Sequence, residues 1–209
     1  MGTATSKLTA LGVAGLVLAA SGCGAVSQST GHSGPARGKT RLRAPAARPR
    51  SGFTWLRPRG APAGWRVVGI PSGAAISLPP RWRLTSGDAG TVTAVLRSRT
   101  QDYVGYLNLT PRQGRETLTD WSSFRVAHNA DEGDRQVRTL AVGRELRFRN
   151  GHGSCVRDSY LTSSGARYIE IACLVAGSRR ASVIVGAAPP QAWARVSPSI
   201  KRAISAVIT

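Results

Sequence analysis

Residues 154–175 read SCVRDSYLT (154–162), SSG (163–165) and ARYIEIACLV (166–175). Two β-branched and aromatic runs flank a short polar segment ending in glycine, the pattern of a hairpin. A three-residue loop at 163–165 needs φ > 0 at its last position, which Gly165 supplies. That register pairs residues whose numbers sum to 328. It sets Cys155 opposite Cys173 and Tyr160 opposite Tyr168, so the turn and the cysteines agree. A further apolar run at Ala181–Ala188 makes a third strand of a meander. Cys155, Leu161, Ile169, Ile171 and Cys173 share one face with Arg157, Ser159 and Arg167, and this is the better core face. The other face carries Val156, Asp158, Tyr160, Tyr168, Glu170 and Ala172. There Asp158 opposes Glu170, a like-charge pair that costs energy unless a cation stands beside it. A nearby arginine is the simplest partner, and an external ligand the sharper hypothesis. Asp158, Tyr160, Tyr168 and Glu170 are therefore the candidate ligand patch.

The chain begins with a different kind of signal. Lys7 is the only charge before residue 37, and residues 8–20 are apolar and small. A membrane span needs roughly 20 residues, so this run is short for one and fits the core of a secretory signal peptide. It closes on Ala20-Ser21-Gly22-Cys23. This resembles the lipobox of bacterial lipoproteins, with Ala20 where that family more often has Leu. The resemblance implies cleavage after residue 22, lipidation of Cys23 with palmitate among the acyl chains, and anchoring on the extracytoplasmic face of the cell membrane. With Cys23 taken as a lipid carrier, two of the three cysteines remain, and a Cys155–Cys173 disulfide suits an oxidising compartment.

Residues 23–50 have linker composition and carry six cations, Arg37, Lys39, Arg41, Arg43, Arg48 and Arg50, with no acid. The expected organisation is thus a leader over 1–22, a lipidated, basic, flexible tether over 23–50 and a globular domain over 51–209. Each basic residue near an anionic membrane could add about 1 kcal/mol, so anionic lipid or wall polymer is the expected partner of the tether. Removing Lys7 and the six tether cations from the chain's +19 leaves +12 on the domain. Arg outnumbers Lys 26 to 3, which reads as the bias of GC-rich coding sequence, so the basicity has two open explanations, function and compositional drift. Export and the lack of a stacking-aromatic motif among the basic residues argue against nucleic acid.

Within the domain, Trp65–Ile70 and Ala74–Leu78 flank a Pro71-Ser72-Gly73 turn and read as strands, as do Thr91–Leu96 and Tyr103–Leu109. A helix is expected over 118–128, capped by Thr117, with Leu118, Trp121, Phe124 or Arg125, and His128 on one side. Trp121 and Phe124 read as core. Residues 129–134 (NADEGD) have the outline of a calcium loop, but Gly133 falls at a ligand position and no bidentate Glu follows. A solvated turn is expected there, with no metal and no cofactor. Gln136–Val142 and Arg144–Asn150 read as two strands or one bent strand. The GHGSC run, 151–155, falls between strands, so His152 lacks a strand-to-helix elbow. A final helix should start with Ser197 as cap and Pro198 at the first position, burying Ile200, Ile204, Val207 and Ile208 and exposing Lys201, Arg202 and Ser205.

This order is antiparallel α+β. With Leu78-Pro79 through Trp82 at a strand end, it resembles the PsbP-like fold, shared by photosystem extrinsic proteins and LpqN-type envelope lipoproteins. The resemblance implies a PsbP-like sandwich, one antiparallel sheet flanked by helices, serving as a non-enzymatic binding or accessory module with an envelope protein partner. Two other classes stay open. One is an envelope hydrolase or transferase using His152 or His128, and the other a carrier of an apolar ligand.

Overall fold

The computed structural model describes residues 52–112, 114–178 and 180–209. The leader, Cys23 and the tether lie outside the described residues. Strands β1 (Arg66–Gly69), β2 (Ala75–Leu78), β3 (Arg83–Thr85), β4 (Val92–Arg97) and β5 (Tyr103–Pro111) precede helix α1 (Trp121–Asp131). Strands β6 (Arg135–Phe148), β7 (Gly151–Leu161), β8 (Arg167–Gly177) and β9 (Ala181–Ala188) follow, then helix α2 (Pro190–Ser205).

β1 and β2 form a separate antiparallel hairpin, turned at Gly73 with φ 94°. The other seven strands make one sheet in the order β3-β4-β5-β9-β8-β7-β6, every neighbour antiparallel. The β7–β8 register is the one the turn and cysteines imply: Cys155 pairs with Cys173, Asp158 with Glu170 and Tyr160 with Tyr168. Gly165 has φ 86°, and the Thr162 N–H donates to the Ala166 carbonyl at 2.8 Å across the loop.

Both sheet faces carry a packed layer, not only the cysteine face. On that face α2, the β1–β2 hairpin and the segment around Phe53 and Leu56 cover Cys155, Ile171, Cys173 and Ile184. A Cβ at Gly186 would collide with Ile200, so glycine there lets α2 lie directly on β9. The chain end is tied in by an antiparallel bridge between Ala75 and Ile208. On the opposite face, Trp121 of α1 packs on Val156, Ala172, Leu174 and Val185, and its indole N–H donates to the Ala172 carbonyl at 2.9 Å.

Several expectations are corrected. α1 begins at Trp121, because Thr117 and Asp120 close a turn ahead of it: the Thr117 N–H donates to Asp120 Oδ1 at 2.7 Å, and the Asp120 N–H to Thr117 Oγ1 at 3.3 Å. α2 is continuous from Pro190, with extended Pro189 as its cap and Pro198 inside it, so Ser197 caps nothing. A proline ahead of the first turn loses no helix hydrogen bond, which makes Pro190 the better start. Ser205 is buried, and its carbonyl accepts from the Arg59 N–H. β3 escapes the sequence reading because its three residues are all exposed. The run 135–148 is one strand with register shifts, and Gln136 and Glu145 at φ 54° and 53° sit at bulges that spoil its alternation.

Cys155 and Cys173 are joined in a disulfide and fully buried. Closing a loop of this length should contribute about 3 kcal/mol on the chain-entropy model. The double substitution Cys155→Ala, Cys173→Ala is therefore expected to lower unfolding stability by about that amount in urea denaturation.

Candidate functional site

α1 covers β7 and β8 but leaves β4, β5 and β9 partly bare. The result is a cleft of about 940 Å³, floored by Val95, Val183, Val185 and Ala187 and bounded by α1 and the 85–88 loop. Its wall at the α1 side is a polar cluster. Residues 121, 125 and 129 are four apart, so Trp121, Arg125 and Asn129 point to the sheet together. Arg125 meets Glu170 in a two-pronged pair, Nε to Oε1 at 2.7 Å and Nη2 to Oε2 at 3.0 Å. The Tyr160 hydroxyl donates to Glu170 Oε2 at 3.1 Å, and Tyr160 stacks on Tyr168 with centroids 6.1 Å apart.

Behind this pair lies Asp158, which is fully buried. Asn129 Nδ2 reaches Asp158 Oδ2 at 3.4 Å, while Asp158 Oδ1 and Asn129 Oδ1 make no hydrogen bond. Burial first, and then the charge of Glu170, push the Asp158 carboxyl up to about 8, against the opposing pull of Arg125. Protonated Asp158 becomes a donor beside Asn129 Oδ1, which lacks one. Burial likewise pushes the Tyr160 hydroxyl far up, helped by Glu170, so it stays a donor. Arg125 is pulled down by burial, but the charge and hydrogen bonds of Glu170 outweigh this and raise it.

The structure thus brings Tyr160, Tyr168 and Glu170 into the cleft wall and sets Asp158 one layer behind it. The cation that the like-charge pair requires is Arg125, which the sequence reading set on the helix side without naming a partner. Asn129 also escaped that reading: it is buried against Asp158 and does not belong to a solvated turn. Phe124 is not core. It is 38% exposed at the cleft, in a stack running from Trp121 at 5.9 Å to His128 at 6.0 Å.

The two histidines differ in setting. His152 lies within β7, not between strands, paired with Arg147 and Ala176, and is exposed. His128 lines the cleft, with Nε2 3.2 Å from Glu132 Oε1. Among the described residues no group of three or more His, Cys, Asp or Glu could hold a metal ion. Among them, too, no helix is long and apolar enough to cross a membrane.

No protein-family model matches this chain, and no curated protein matches its sequence. Solved structures do. CyanoP, the cyanobacterial PsbP of Synechocystis sp. PCC 6803, is 13% identical, with 71% of this chain and 94% of that one covered at a TM-score of 0.52. PA94 of Pseudomonas aeruginosa is 11% identical over 69% and 96%, at 0.47. LpqN of Mycobacterium tuberculosis, involved in cell envelope biogenesis, is 13% identical over 68% and 88%, at 0.42. At this identity the likeness to CyanoP speaks for the fold alone: the domain is a PsbP-like α+β sandwich.

Proposed function

We propose that this chain is a lipid-anchored, extracytoplasmic binding module of a bacterial cell envelope, that it works without catalysis, and that the cleft beside α1 is its ligand site. The observation that carries the reading is the cleft itself. It is roomy and largely formed by a rigid sheet, with a few oriented polar groups in its wall, as ligand sites commonly are. The Cys23 signal supports the anchor. The buried disulfide supports a compartment outside the cytoplasm. The six tether cations would hold the chain near anionic lipid or wall polymer, where the cleft could meet an envelope protein partner or its ligand.

The anchor is tested by Cys23→Ser in a bacterial host. Wild type should fractionate with membranes and carry a diacylglycerol mass on its N-terminal peptide, while the variant should lose both. In-cell crosslinking of the two forms, followed by mass identification, tests the module. A discrete partner trapped only by the anchored form is the expected result. Crosslinks to nothing by either form would speak against it.

A further inference from the structure

The cleft has a composition opposite to that of the rest of the molecule. The chain has 29 Lys and Arg against 10 Asp and Glu. Yet Asp88, Glu116, Glu132 and Glu170 all line the cleft, and Arg125 is the one Lys or Arg side chain among its described lining residues. Arg125 is moreover bound to Glu170 through both Nε and Nη2. All four tyrosines of the chain, residues 103, 106, 160 and 168, line the same space. Tyrosine faces attract cations, and a negative recess with low-dielectric walls concentrates the field. Tyr103 already shows the first of these: the Arg97 guanidinium lies 4.2 Å from its ring centroid.

We propose that the cleft takes an organic cation, an ammonium or guanidinium group on a narrow or flat body that lies along the tyrosines, with Asp88 and Glu132 selecting the charge. This rests on reading the cleft as a ligand site. An anion would face the exposed carboxylates of Asp88 and Glu132, and a purely apolar ligand would offer these two no counter-charge.

The test uses the full chain with carbon-13-labelled tyrosine, because every tyrosine then reports on the cleft. Phenethylamine, its neutral analogue phenethyl alcohol and anionic 3-phenylpropionate are titrated separately. Phenethylamine should shift the tyrosine resonances saturably, at least tenfold more tightly than either analogue, and added salt should weaken it. The double variant Glu132→Gln, Asp88→Asn alters two exposed acids and should lose about tenfold for phenethylamine while leaving phenethyl alcohol unchanged. Binding of the alcohol or the acid as tight as that of the amine would overturn the cation inference and leave the ligand site standing. Failure of all three to move any tyrosine at millimolar concentration would remove both. Unchanged amine affinity in the double variant would overturn the selecting role of the acids.

Discussion

Arg125→Met is expected to lower unfolding stability by about 3–5 kcal/mol, the cost of leaving a buried carboxylate without its partner. Glu170 is 2% exposed at its side chain and Arg125 13%, so water screens the pair little. The loss also falls on Tyr160, whose hydroxyl shares the same carboxylate. For a domain of this size that is about 10 °C or more in melting temperature. The pair itself should be replaceable. Arg125→Met combined with Glu170→Met should recover most of the loss, because an apolar pair removes the desolvation penalty along with the attraction. Urea denaturation of both single variants and the double variant closes the cycle. A single Arg125→Met that melts like wild type would mean that the pair does not hold α1 on the sheet.

Asp158→Asn should have the opposite sign, and only above acid pH. The Asp158 carboxyl stands at about 8 when folded, against roughly 3.9 in an unfolded chain. Its folded pKa is therefore raised. The stability tied to its proton is fully present below pH 4 and is lost as pH rises through 8, because over that window the folded state holds a proton the unfolded state has released. Asparagine keeps the shape of the neutral acid and offers Asn129 Oδ1 a donor without titrating. At pH 9 the variant is expected to exceed wild type by on the order of a few kcal/mol, and near pH 4 the two should converge. Denaturation midpoints from pH 4 to 9 decide it. Parallel curves for the two proteins would show that Asp158 titrates normally.

These two expectations also mark what could be read from the chain alone. The β7–β8 pairing was legible because two local signals, Gly165 and the cysteine pair, fix one register independently. The like-charge pair was legible from the same register, and so was the need for a cation. Which arginine answers it was not, because 26 were available. The usable clue was the four-residue spacing of Trp121, Arg125 and Asn129, a stripe with a single apolar member that an apolar-periodicity search rotates away from. The helix was thus expected to bury Phe124, which instead stacks at the cleft. Pro198 misled for a related reason. Proline favours helix starts, but the Pro189-Pro190 pair provides a better one and packing of Val196, Ile200 and Ile204 carries the helix through. The cleft could not be read from sequence. It exists because α1 is 11 residues long and covers only one half of a seven-stranded sheet.

The central claim, that this cleft is where the protein meets its ligand or partner, is best tested in the cell that makes it. A photo-crosslinking amino acid replaces Tyr168, half-buried in the cleft wall, and in a second strain Val67, 52% exposed on β1 away from the cleft. The expected result is a discrete adduct from position 168, identified by mass, with none from position 67. No adduct at 168, or the same adducts at both positions, would contradict the account.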